Sequence, residues 1–117
     1  MTAVSTGRSL ETLTAEDFRG HHDTWFRLTG GPYADSPVTI DTVLAGVTEY
    51  PARSGTLRAP FSVLFHGPLQ PVGPQGIYRV EHAELGALEL FIVPLGPDEP
   101  TAPGQAPTAM RYEAVFG

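Results

Sequence analysis

The sequence predicts a mainly β fold, a single small antiparallel β-barrel or sandwich of about six strands with one short N-terminal helix. Three observations predict it. Apolar residues recur at every second position in successive short segments between Trp25 and Phe116, Pro- and Gly-rich breaks separate those segments, and only one stretch carries a helix-start signal. A chain of 117 residues with 41% hydrophobic and 17% charged residues has enough apolar surface to fold, and it is too short for two full cores. Residues 1–11 read as a flexible leader and 12–117 as one β-rich domain.

The helix comes first. Thr14 followed by Asp17 fits a capping box with Asp in the place of the usual Glu or Gln, and Leu13 and Phe18 stand at the positions of a hydrophobic staple. A short helix therefore starts at Ala15, and Gly20, His21, His22 and Asp23 offer no apolar face to continue it. From Trp25 the period becomes two, with Phe26 and Leu28 opposed to Arg27 and Thr29, until Gly30, Gly31 and Pro32 end the run. A long or bent second strand runs from Val38 toward Tyr50, with Gly46 a candidate bulge, and Pro51 to Ala59 is a polar turn region.

Phe61, Val63 and Phe65 share one face of a third strand, which the breaker-rich segment from Gly67 to Pro74 separates from the fourth, Ile77 to His82. Ala83 to Gly86 is short enough for a hairpin into a fifth strand, Leu88 to Leu95. A Pro-rich loop, 96–108, is expected to be exposed, and Met110 to Phe116 alternates as the sixth strand. The fifth strand is apolar on both sides. Leu88, Leu90 and Ile92 make one face, whereas Phe91, Val93 and Leu95 make the other, so something is expected to cover each. Either the N-terminal helix or the Pro-rich loop packs over the second face, or Leu64 and Val115 extend it into an outward interface: Leu64, Phe91, Val93, Leu95 and Val115 are the candidate contact residues.

Charge and motif content exclude several functions. The formal net charge is −6, lysine is absent, and the arginines are scattered singly, which argues against a nucleic-acid partner. With no cysteine there are no disulfides, thiolate metal sites or cysteine nucleophiles. Residues Met1 to Leu10 lack a signal-peptide core and no run spans a bilayer, so a cytoplasmic location or a place in an assembled particle is expected, without a membrane. His21, His22 and Asp23 invite a metal, yet adjacent residues point in different directions, and a helix-ending role is preferred. His66 and His82 end strands, where they can bond a turn. Ser5, Ser9, Ser36, Ser54 and Ser62 lie in no nucleophile elbow, Ser62 being the polar face of a strand. Glu81 with Glu84 or Glu113 is an open carboxylate pairing, while Glu89 and Glu113 are read as solvated positions facing Arg79 or Arg111. No phosphate loop occurs, and neither a cofactor nor a metal is expected.

The segments L-T-A-E-D-F (Leu13 to Phe18), P-F-S-V-L-F-H-G-P (Pro60 to Pro68), P-Q-G-I-Y-R-V-E-H (Pro74 to His82), E-L-G-A-L-E-L-F-I-V-P-L-G (Glu84 to Gly96) and Y-E-A-V-F (Tyr112 to Phe116) together resemble a family of small bacterial proteins described as a domain of unknown function. That resemblance implies genes placed near phage-tail-collar-like proteins, hence an accessory or assembly role, and it carries over no catalytic residue. The longer loop 96–108 and the ending on Gly117 depart from the family pattern. The leading expectation is a non-enzymatic module that binds another protein or itself. A barrel enclosing a hydrophobic small molecule, with Trp25, Phe61, Phe65, Tyr78 and Tyr112 at its mouth or lining, is the alternative, and a hydrolase-like enzyme comes third.

Overall fold

The computed structural model of the chain describes residues 12–31, 35–52, 59–100 and 102–117. The expected leader lies outside the described residues. One helix, α1 (Ala15–Arg19), precedes the strands β1 (Trp25–Gly30), β2 (Val38–Glu49), β3 (Phe61–Gly67), β4 (Gly76–His82), β5 (Gly86–Pro97) and β6 (Met110–Phe116). The helix begins as its sequence dictates: the Asp17 carboxylate accepts from the backbone N–H of Thr14 at 2.8 Å and from its hydroxyl at 3.2 Å. The six strands form a closed antiparallel barrel in the order β1-β2-β3-β6-β5-β4. A barrel rather than a sandwich results because β1 also pairs with β4, from Arg27↔Glu81 to Gly30↔Tyr78.

Alternation along each strand sends one set of side chains inward, and closure makes that set a common core. Phe26, Leu28, Leu44, Phe61, Val63, Phe65, Tyr78, Ile92 and Tyr112 are fully buried. Thr42 is the polar member of the interior, and its hydroxyl donates to the Phe26 carbonyl at 2.8 Å, so no cost of an unpaired group is incurred. Two bulges let long strands follow the barrel's curvature. One falls between Leu44 and Gly46, making Ala45 the extra residue, one position before the expected Gly46. The other falls between Pro94 and Gly96 in β5, where Leu95 is the extra residue and the missing proline donors do least harm.

Both ends of the barrel are stoppered. At one end α1 buries Leu13, Ala15 and Phe18, and the Phe18 ring lies 5.9 Å from Phe61, 5.4 Å from Phe116 and 6.4 Å from Phe26. Burying a side chain of this size stabilises by about 1.5–3 kcal/mol. At the other end the β3–β4 loop turns inward: the Gly73 N–H donates to the Tyr112 hydroxyl at 2.9 Å, and the Tyr78 hydroxyl donates to the Pro74 carbonyl at 2.5 Å. A larger residue would force its neighbours to shift, because a Cβ on Gly73 would lie 2.4 Å from Ile40 Cδ1 and 2.8 Å from the Tyr78 hydroxyl.

Several expectations need correction. Neither α1 nor the Pro-rich loop covers the outer side of β5: the helix is spent on the barrel end against β2 and β3, and Phe91 is half exposed. Gly96 and Pro97 belong to β5, so the loop begins at Asp98, whose carboxylate closes its base by accepting from the backbone N–H groups of Thr108 and Ala109 at 2.8 and 2.9 Å. Ser62 is on the outward face as expected, yet it is buried there, since Tyr50 reaches over it with hydroxyl oxygens 3.3 Å apart. Arg79 is opposite Glu89 in register but pairs with Glu81 along its own strand at 3.6 Å, and Arg111 donates to the carbonyls of Gly96 and Leu95 instead of meeting a glutamate.

The stoppered loop generates a test. Gly73→Ala is expected to destabilise the fold by about 1–3 kcal/mol through overpacking. Gly46→Ala, where the added Cβ meets nothing within 4 Å, is expected to fall within about 0.5 kcal/mol of the parent. Urea denaturation monitored by circular dichroism separates the two, and equal midpoints would refute the plug.

Candidate functional site

With the interior filled and the ends closed, the chemistry open to a partner lies on the outer wall. The candidate contact residues are brought to one side of it. Leu64 on β3 and Val93 on β5 both flank Glu113 on β6, and Val115 on β6 is paired with Ser62. Phe91 and Val115 stand two residues beyond the Val93↔Glu113 pair, on the same outward face of their strands. Phe91 also faces Ile77 across the β4–β5 ladder. Ile77, Phe91 and Val115 are 55%, 50% and 67% exposed, with Val93 and Leu64 half-buried beside them. Leu95, the bulge residue, is exposed further along β5. Ile77 is the member that sequence reasoning did not include, although its alternation with the inward Tyr78 was a sufficient signal.

A second feature occupies a different part of the wall. Trp25, expected at the barrel's mouth or lining, instead points outward and is 67% exposed, because Phe26 takes the inward position next to it. It stands at the edge of a groove of about 850 Å³ whose lining includes Arg27, Asp41, Arg79, Glu81, Ala83, Gly86 and Ala87. The Arg27 guanidinium grips Asp41 through Nε at 2.7 Å and Nη2 at 3.4 Å. That contact raises the Arg27 pKa and holds the Asp41 carboxyl below the ordinary carboxylate value. In the ladder Arg27 lies between Asp41 and Glu81, so opposite charges alternate across three strands.

The histidines between helix and barrel form a latch. Residues His21 to Thr24 join α1 to β1, and they turn tightly enough to place Asp23 at φ 66°. His22 Nε2 lies 2.8 Å from the carbonyl of Ala45, the bulge residue, and its Nδ1 lies 3.0 Å from the Asp23 carboxylate. These acceptors raise the His22 pKa, the Ala45 carbonyl contributing most. His82 lies between the rings of Phe26 and His21, at 4.3 and 4.5 Å. Its Nδ1 accepts from the backbone N–H groups of Glu84 and Leu85 at 3.0 and 3.2 Å, so the proton sits on Nε2 and is directed at Thr24 Oγ1, 2.9 Å away. Thr24 in turn donates to the His21 carbonyl at 2.5 Å. Burial depresses the His82 pKa, with His21 adding to the effect and Glu84 opposing it.

These bonds also place the residues considered for chemistry. His21 Nδ1 is 3.5 Å from the Glu84 carboxylate, and both nitrogens of His82 are occupied within the latch, which is the helix-ending and turn-bonding role expected of these histidines. Among the described residues no group of three His, Asp or Glu is arranged to hold a metal. Glu81 sits in the groove, Glu84 in the hairpin and Glu113 on the wall opposite Leu64 and Val93, so the open carboxylate pairing resolves into three separate environments. His66 faces outward between Val43 and Arg111. No described helix is long and apolar enough to cross a membrane.

Compared with known proteins, residues 13–116 match the model of a family described as a domain of unknown function, DUF6916. No curated protein and no solved structure matches the chain.

The two perturbed histidines act in opposite directions with pH. His82 has a folded pKa below the unfolded 6.5, so its contribution is complete above that value and is lost as pH falls below it toward the folded pKa. His22 has a raised folded pKa, so its contribution is complete below 6.5 and is lost as pH rises through the folded value. Imidazole resonances followed by NMR should therefore titrate below the ordinary histidine range for His82 and above it for His22. In His22→Gln, stability should fall monotonically on acidification through pH 6.5 toward the His82 folded pKa. A reversed order of titration would overturn the assigned tautomer and latch.

Proposed function

The chain belongs to the DUF6916 family, a domain of unknown function, and from that premise we propose that it is a non-enzymatic protein-interaction module. Its binding face is the outer wall centred on Phe91. The observation that carries this reading is the row Ile77, Phe91 and Val115, each at least half exposed, flanked by half-buried Val93 and Leu64. A soluble surface seldom leaves apolar side chains contiguous without a use, since each stabilises only when water is removed from it. A closed barrel offers no strand edge for pairing, so side chains on the wall are what a partner meets. Glu113 supplies a polar group within the face, in keeping with a contact formed and released by folded partners.

His21, His22, His82 and Glu84 are spent on holding the helix and hairpin, which supports a binding role over a hydrolytic one. In its finer form the proposal is an accessory of a phage-tail-like or tail-fibre assembly. That finer form is supported by the motif resemblance, and it takes either a different protein or a second copy of the chain as the partner.

Phe91→Asp combined with Val115→Asp tests the face. Both side chains point to solvent, so the urea midpoint should stay close to the parent's. Light scattering and quantitative mass spectrometry of tagged chain recovered from its native cells should show a partner or self-association with the parent. That association should weaken by about 2 kcal/mol or more in the variant, roughly thirty-fold in Kd. An association equally strong in both proteins, or a parent that is monomeric and recovered alone, would sink the reading.

A further inference from the structure

We infer that the Trp25 groove is a binding site for a neutral oligosaccharide. It is a separate surface from the Phe91 face. The two share strands β4 and β5, yet Arg79 and Glu89 occupy the ladder row between Ile77–Phe91 and Glu81–Ala87.

Three features of the groove converge on that ligand. The first is a stacking platform, since Trp25 leaves two-thirds of its surface in water, 67%, at the edge of a recess. An indole is a flat apolar plate with one N–H donor, the form that receives the C–H face of a sugar ring while its hydroxyls reach beyond the rim. The second is the floor. Gly86 and Ala87 open β5 with almost no side chain, so the wall is recessed there, and a volume of about 850 Å³ accommodates several sugar rings.

The third is the electrostatics of the rim. Arg27 is forked onto Asp41 and Arg79 is paired with Glu81, so two cations and two anions cancel in a chain whose formal charge is −6. An anionic ligand would have to displace Asp41 or Glu81 from its guanidinium, and a cationic one would have to displace an arginine. A hydroxyl-rich neutral ligand does neither, because each hydroxyl donates to a carboxylate or accepts from a guanidinium whose other atoms keep their pairing. All four charged side chains are about half exposed, 48–62%, which leaves part of their surface accessible to a ligand. Exposed ion pairs contribute little to folding, so stability gives little reason for their regular array beside an exposed tryptophan.

Trp25 is the chain's single tryptophan, so its fluorescence reports the groove and nothing else. The probes are maltotriose, cellotriose and triacetylchitotriose, with a heparin tetrasaccharide and a chitosan trimer as charged comparisons. At least one neutral probe should shift the emission saturably with Kd below about 1 mM. Asp41→Asn and Arg79→Gln should each weaken that binding about tenfold or more. The amides of Gly86 and Ala87 should move in NMR spectra on titration, and the Phe91→Asp variant should bind the sugar as the parent does. The inference fails if none of the neutral probes gives a saturable response, if a charged oligosaccharide is preferred, or if Asp41→Asn binds unchanged. Loss of the protein partner in the Phe91 variant with sugar binding retained, or the converse in Trp25→Ala followed by NMR, tells failure of one surface from failure of the other.

Discussion

Closure of the barrel is the constraint on which the rest of the structure depends. Six strands enclose a cylinder so narrow that inward side chains fill it, and the β1–β4 ladder that completes the ring removes the last free edge. What closure leaves open are two ends, and both are stoppered by elements that would otherwise have been available to cover the walls. Phe18 enters one end on a five-residue helix, and Gly73 enters the other on a Pro-rich loop. The interior and the edges are thus consumed by folding, and recognition is displaced to the outside of the cylinder.

The same economy explains the connector. A five-residue helix has little stability of its own. It is held by its buried face and by the latch that follows it, in which His22 meets the Ala45 carbonyl and His82 ties the β4–β5 hairpin to Thr24. The bulge in β2 bends the strand and presents a carbonyl that the regular ladder would have occupied. A cluster that reads as metal chemistry in the sequence is therefore part of how a short plug is fixed to a barrel.

The strands were legible because Phe61, Val63 and Phe65, or Tyr112, Ala114 and Phe116, alternate strictly, and alternation is the direct trace of a half-buried ladder. The capping box at Thr14 and the β4–β5 hairpin were legible for the same local reason. Barrel versus sandwich was not, since both bury one face of every strand and differ only in whether β1 meets β4 across some fifty residues of chain, a pairing with no local sign. The ligand-barrel alternative sets Trp25 at the mouth or lining, whereas the inward positions of Phe26 and Leu28 require it to point out. Covering the second face of β5 with α1 failed because the helix was needed at the barrel's end. The outward position of Ser62 was legible from alternation, but its burial was not, because Tyr50, which covers it, is twelve residues away in the chain. Of the outward sites, the apolar face was visible as a strand greasy on both sides. The groove was not, because it is assembled from β1, β2, β4 and β5 and depends on the small residues of a hairpin that sequence reasoning treated only as a connection.

This chain keeps its aromatic residues in two populations, a sealed interior and an open wall. Paramagnetic relaxation by a soluble gadolinium chelate, read on aromatic resonances, measures that division directly. Phe91 and Trp25 should relax strongly, whereas Phe18, Phe61, Tyr78 and Tyr112 should be protected. Strong relaxation at Tyr78 and Tyr112 would mean an open mouth, and protection of Phe91 would mean a covered wall. Either result would contradict the account.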